Sequence, residues 1–252
     1  MIGNLFEFCK KQFLTEVEIK IRHTDPTFVG VEVETGIVQI FSIDVDACYD
    51  RTEICYQGVL SRDEIKKAER YYHIHDRASY LVRKYFLRML LSKLISRPPC
   101  DLNFSTIGSK KPIITGLEFN TSHSGKYAVI AISSASVGID IEEIDHTFDF
   151  NDIVNRCFTF EEQKVLNEPH PLQHFFKLWT RKEAILKASG EGLISDLHLL
   201  NCLSNRIWRK GHIYDITTFY PEAGYVISLA SGCTSSKLVF WNISPLSAKS
   251  KN

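Results

Sequence analysis

The stretch VGIDIE at 137–142 alternates apolar and acidic side chains, and WTRKEAILKASGEGL at 179–193 places Glu183 and Lys187 one helical turn apart. A strand's period of two sends Asp140 and Glu142 to one face, and Glu183 on a later helix can add a third carboxylate. Three oxygen donors without His or Cys suit Mg²⁺ or Mn²⁺ completed by water and phosphate, and argue against zinc. Plainer readings stand beside this one. A D-x-E strand is a common surface pattern, and Glu183 with Lys187 also reads as a solvated i,i+4 pair worth a few tenths of a kcal/mol.

A second set has the chemistry to hold phosphate. Lys110, Lys111 and Pro112 form a polar turn, and FNTSHSG follows at 119–125. Ser122, His123, Ser124 and Gly125 can present hydroxyls, an imidazole and backbone N–H groups to phosphate oxygens. Taken singly, the lysines read as an exposed loop and His123 as a turn histidine; beside a carboxylate triad they gain meaning together.

The elements that must position these residues come in two copies. Phe175, Leu178, Trp179, Ile185 and Leu186 make one apolar helix face, with Lys182 in its middle and Glu183 and Lys187 at its edge. VLSRDEIKKAERYY and CFTFEEQKVLNEPH each place Ser or Thr three residues before Glu, a capping box. Ser61 and Thr159, Glu64 and Glu162, Lys66 and Lys164, Arg83 and Arg181, and Lys84 and Lys182 are all 98 apart, and SIDVD at 42–46 matches GIDIE at 138–142 at an offset of 96. Each unit reads as strand, capped helix and long helix (DRASYLVRKYFLRMLLSKL, then LQHFFKLWTRKEAILKAS), followed by the sheet segments FNTSHSGKYAVIAISS or AGYVISLAS with KLVFWNIS. The fold class is therefore α+β in two similar halves, with a ligand site between them. Tyr85 stands where the second copy has Glu183, so Asp44 and Asp46 lack a helical carboxylate and the second copy is the metal candidate.

Composition excludes several classes. The chain of 252 residues is 44% hydrophobic and 24% charged, a globular balance, and 30 Lys plus Arg offset 30 Asp plus Glu, so no overall field draws nucleic acid. Seven cysteines without a C-x-x-C pair read as reduced thiols. The start lacks a signal-peptide pattern and no apolar run reaches membrane length, so a cytoplasmic monomer without membrane contact is expected. The domains read as an extension at 1–37, an N-terminal half at 38–136 and a C-terminal half at 137–252. In the extension, EVEIKIRH and TFVGVEVE predict a hairpin around Asp25–Pro26 that covers a sheet edge or meets a partner.

KKPII, FNTSHSG, VGIDIEEID and WTRKEAILKASGEGL, in that order and spacing across roughly residues 38–245, resemble the Sfp-type 4'-phosphopantetheinyl transferases. The resemblance implies a pseudo-twofold pair of α+β halves and transfer of the phosphopantetheine arm of coenzyme A to a serine of an acyl or peptidyl carrier protein, with release of adenosine 3',5'-bisphosphate. It implies that Asp140, Glu142 and Glu183 hold Mg²⁺, that Glu183 deprotonates the serine and that Lys187 neutralises the leaving phosphate. Lys111, Ser122 and His123 would contact coenzyme A, Lys182 would point between the halves, and Lys67 would meet the 3'-phosphate. The chain departs from the pattern at Lys110, where the family has glycine, and at Ser79, where it has arginine; Arg77 is the candidate replacement. Ile194, Leu193 and Phe158 are the candidate carrier contacts. A metal-dependent phosphodiester or pyrophosphate hydrolase, or a non-catalytic coenzyme A binding module, is the alternative.

Overall fold

The computed structural model describes residues 19–25, 27–49, 56–107, 111–114, 116–192, 194–232 and 237–243. Strand β1 (Ile19–Thr24) is followed by β2 (Ile37–Asp44), α1 (Arg62–Ala68), α2 (Ile74–Ile95), β3 (Ser105–Ile107), β4 (Lys111–Ile113), β5 (Glu118–Ser124) and β6 (Tyr127–Ser133). The second run is β7 (Val137–Glu143), α3 (Asn151–Cys157), α4 (Phe160–Leu166), α5 (Pro171–Ser189), β8 (Arg206–Arg209), β9 (His212–Phe219), β10 (Tyr225–Ser231) and β11 (Lys237–Ile243).

The two halves repeat down to side chains. Ser61 caps α1 and Thr159 caps α4, each within a complete capping box with Glu64 or Glu162. Each of these glutamates then takes the lysine of the following long helix, Lys84 to Glu64 at 3.5 Å and Lys182 to Glu162 at 2.7 Å. Strands β6 and β10, whose ends are again 98 residues apart, are buried along their whole length, β6 pairing antiparallel with β2 and β5, and β10 with β7 and β9.

Alternation along these buried strands builds the layers. Ala128, Ile130 and Ile132 of β6 pack with Leu81, Phe86 and Leu90 of α2, while Val129 and Ala131 join Ile139, Ile141, Ile227 and Leu229 of the second sheet. On the far side of that sheet Ala230 meets Ala184, Ile185 and Ala188 of α5. The order is helix, sheet, sheet, helix, and the two sheets share an apolar core. A continuous apolar strand, rather than an alternating one, is what burial on both faces requires.

Three expectations change. The internal match of Asp44 with Asp140 does not hold in space: Asp140 lies mid-strand opposite Ser228, whereas Asp44 ends β2 opposite Tyr127 and accepts the Ala47 N–H at 2.9 Å. The hairpin around Asp25 is absent, because β1 pairs in parallel with β11 instead and the described residues 27–34 form no strand. Its alternation specifies a face but not a partner, and β11 offers an edge along its full length. Finally, β11 leaves the second half and sits between β1 and β2, so the first sheet runs β1-β11-β2-β6-β5 and the second β7-β10-β9-β8.

Candidate active site

Strand β7 and helix α5 bring the acidic residues together because their backbones nearly touch. A Cβ on Gly138 would overlap the Ala184 carbonyl oxygen and the Ala188 amide, so only glycine lets β7 lie this close to α5. Two residues on, Asp140 is buried, and its Oδ1 accepts from Lys187 Nζ at 2.6 Å and from Ser122 Oγ at 2.7 Å. Lys187 also donates to Ser122 Oγ at 3.1 Å and to the Ile139 carbonyl at 3.2 Å. It thus reaches across to β7 rather than pairing along its own helix with Glu183, and the solvated i,i+4 reading of that pair is set aside.

The second half meets the first through side chains. Strands β5 and β7 belong to different sheets, yet Asn120 Oδ1 accepts the Ile139 N–H at 3.0 Å, Ser122 reaches Asp140, and Ser124 Oγ donates to Glu142 Oε2 at 2.9 Å while accepting the Glu143 N–H at 3.0 Å. Asn120 was not among the sequence candidates, and Ser124, expected to face phosphate, bonds to β7 instead. Their signal was present in FNTSHS, where polar residues at 120, 122 and 124 occupy one face of a strand.

The charge of Asp140 raises the pKa of both glutamates. Burial, then the nearby Asp140, push Glu142 up to about 7, with Ser124 opposing. Burial and Asp140 likewise raise Glu183, which Lys187 partly offsets. Among the described residues no group of three or more His, Cys, Asp or Glu side chains draws close enough to cage a metal alone. Mg²⁺ asks for less, one or two carboxylates with substrate phosphate and water around them. Asp140 Oδ2, buried and without a protein partner, and an oxygen-only donor set fit that ion.

The phosphate candidates divide. His123, next to Ser122 on β5, stands exposed, and the surrounding protein bulk followed by the charges of Arg83 and Lys187 hold its pKa down to about 4. Lys67, on α1, lies with its ammonium 5.4 Å from the Tyr80 ring, beside an open groove of about 590 Å³ lined by Asp63, Lys66, Arg70 and Tyr71. Arg77 is half-buried in the first turn of α2, and Lys111 opens β4. Lys110 and Leu193 lie outside the described residues.

Two candidates prove structural. Lys182 does not point between the halves: it is entirely buried, bonded to Glu162 Oε2 at 2.7 Å, to the Leu197 carbonyl at 3.3 Å and to the Leu200 carbonyl, so its ammonium has no path to a cofactor. An apolar stripe carries a lysine inward only when a buried partner awaits it, and Glu162 of the capping box is that partner. Phe158 is 1% exposed and packs 5.4 Å from the Phe175 ring, which removes it from any carrier surface.

Comparison with known proteins agrees with this architecture. The model of the 4'-phosphopantetheinyl transferase superfamily matches residues 136–230, and that of the 4'-phosphopantetheinyl transferase N-terminal region matches 51–135. A 4'-phosphopantetheinyl transferase of Bacillus subtilis is 32% identical over 162 residues, 62% of this chain and 70% of that protein. The 4'-phosphopantetheinyl transferase HetI of Nostoc sp. is 33% identical, covering 54% of this chain and 62% of its own. The chain belongs to the 4'-phosphopantetheinyl transferases. Within them it is of the Sfp type: Sfp of Bacillus subtilis strain 168 is 31% identical over 63% of this chain and 71% of that protein.

Proposed function

We propose that the cleft between β5, β7 and α5 is where this transferase moves the 4'-phosphopantetheine arm of coenzyme A onto a serine of an apo acyl or peptidyl carrier protein. The observation that carries the assignment is the junction at Asp140, where Ser122 of the first half and Lys187 of the second meet on one carboxylate oxygen while the other stays free. The serine oxygen bonds to the pantetheine-side phosphorus of the pyrophosphate. The bond from that phosphorus to the bridging oxygen breaks, and adenosine 3',5'-bisphosphate leaves.

Glu183 takes the serine proton, a role its raised pKa favours over that of an ordinary surface carboxylate. Lys187 faces the leaving phosphate and offsets the charge that grows there. His123 and Ser122, with Lys67, Lys111 and Arg77 further out, hold the phosphates and adenine end. Mg²⁺, held by Asp140, Glu142 and Glu183, would neutralise the pyrophosphate. The hydrolase and the non-catalytic binding module are not favoured, the first because the relatives are transferases, the second because it leaves the acidic cluster without use.

Intact mass of apo carrier proteins incubated with coenzyme A and Mg²⁺ tests the assignment. A phosphopantetheine-sized gain is expected with wild-type protein, none with a chelator, and about a hundredfold slower gain or worse with Asp140→Ala. Coenzyme A cleaved with no carrier gain would replace the transferase by the hydrolase.

A further inference from the structure

On α2 the positions 76, 79, 80 and 83 share one face, since i, i+3, i+4 and i+7 recur on one side of a helix. Arg83 is half-buried there, and it lies near enough to His123 for its charge to act on the imidazole. Burial lowers its pKa, and the groups that offset this are the phenols of Tyr71 and Tyr80. Among the described residues no carbonyl, hydroxyl or carboxylate within bonding distance accepts from its guanidinium, Asp76 two turns away included. One turn earlier, Ser79 Oγ is buried without a partner.

The internal repeat supplies the contrast. Arg181, 98 residues later at the matching place on α5, donates to the Cys202 carbonyl at 2.6 Å, the Ser204 carbonyl at 2.5 Å, and Thr218 Oγ1 and Asn205 Oδ1 both at 3.1 Å. An arginine that serves the fold at this position is saturated by acceptors. Arg83 is only half-buried and makes none of these bonds, which leaves its fork of donors open to a ligand on the side of α2 that acts on His123. Lys187 acts on His123 as well, from α5. Cations of both halves therefore act on one imidazole, with Asp76 opposing them; Lys187 is already bonded to Asp140, Ser122 and the Ile139 carbonyl, whereas Arg83 keeps its donors for an anion with several oxygens.

We propose that Arg83 is a binding residue for a phosphate group of coenzyme A, gripping it with its guanidinium from the α2 side of the cleft. The proposal rests on the coenzyme A reading above. It would also give this chain, one helical turn on, a cation in place of the one lost at Ser79.

Calorimetric binding of coenzyme A and of dephospho-coenzyme A, without metal, to wild type, Arg83→Ala and Arg83→Lys tests it, alongside the melting temperature of each. Arg83→Ala should bind coenzyme A at least tenfold more weakly with an unchanged or higher melting temperature, and Arg83→Lys should fall between. An equal loss for dephospho-coenzyme A assigns Arg83 to the pyrophosphate; a loss confined to coenzyme A assigns it to the 3'-phosphate. Wild-type affinity in Arg83→Ala overturns the proposal, and so does a lowered melting temperature with affinity retained. Should wild type not bind coenzyme A at all, that earlier reading fails by itself. Inorganic pyrophosphate then decides the anion site: raising the melting point of wild type but not of Arg83→Ala supports it, and raising both equally overturns it.

Discussion

The Lys182–Glu162 pair is buried on both sides, so its worth depends on what replaces it. Removing the lysine alone strands a carboxylate in the core at a cost of about 3–5 kcal/mol, whereas replacing both partners by apolar residues of similar volume is close to neutral. Lys182→Met should therefore melt well below wild type, Lys182→Met/Glu162→Leu should recover much of the loss, and coenzyme A affinity of the folded double variant should be unchanged; a weakened affinity would return Lys182 to the cofactor site. Glu64 shows the pH side of the same motif. Burial pushes its pKa up, but the bonds from Arg88 Nε at 2.5 Å and the Ser61 N–H at 3.0 Å, with Lys84, outweigh this and hold it below the ordinary 4.5. The unfolded chain then binds the proton first as pH falls, so this stabilisation is full above the ordinary glutamate pKa and is lost as pH drops through the folded one. The melting-temperature gap between wild type and Glu64→Gln should narrow steadily as pH falls below the ordinary glutamate value, and a constant gap would rule the mechanism out. At this scale Asp140, Glu142, Glu183 and Lys187 were legible because carboxylates at period two and charges at a helix edge announce themselves. Lys182 was not, because a lysine inside an apolar stripe looks the same whether its ammonium meets a ligand or a buried glutamate.

Both long helices and both capping boxes could be read directly, since capping is local chemistry written in four consecutive residues. The hairpin of β8 and β9 was missed: RIWRKGHIYDITTFY turns at Lys210 and Gly211, both at positive φ, and a lysine there gives no warning of the left-handed conformation. The packing of Phe158 was also beyond local pattern. It precedes the cap of α4 but packs on Phe175 of α5, and Lys182 Nζ sits 5.4 Å above its ring, so it joins two helices rather than stapling one. Phe158→Ala should cost about 3–5 kcal/mol in chemical denaturation. The KM for the carrier should stay at the wild-type value in the folded variant; a raised KM with unchanged stability would restore Phe158 as a carrier contact.

The duplicated plan was visible in the 98-residue offset, but the way the halves are tied together was not, because strand order depends on contacts remote in sequence. Strand β11 is flanked by β1 and β2 and sends Leu238 and Phe240 into the core between the sheets. Ending the chain at residue 232 should therefore disrupt the first half, which the truncation leaves intact in sequence. Limited proteolysis and circular dichroism should show lost protection around β2 and α2; a truncated protein that melts cooperatively like wild type would show the halves to be independent. The same strand sets an order of events during synthesis. Ile37 pairs with Lys237, so a ribosome adding about 5–20 residues per second leaves the edge of β2 waiting roughly 10–40 seconds for its neighbour. The first half can collapse around α2 early, but its sheet is completed only once residues 237–243 have been made. A nascent chain of this protein must spend that interval with an unpaired apolar strand edge, which is where chaperone capture or misassembly would compete with folding.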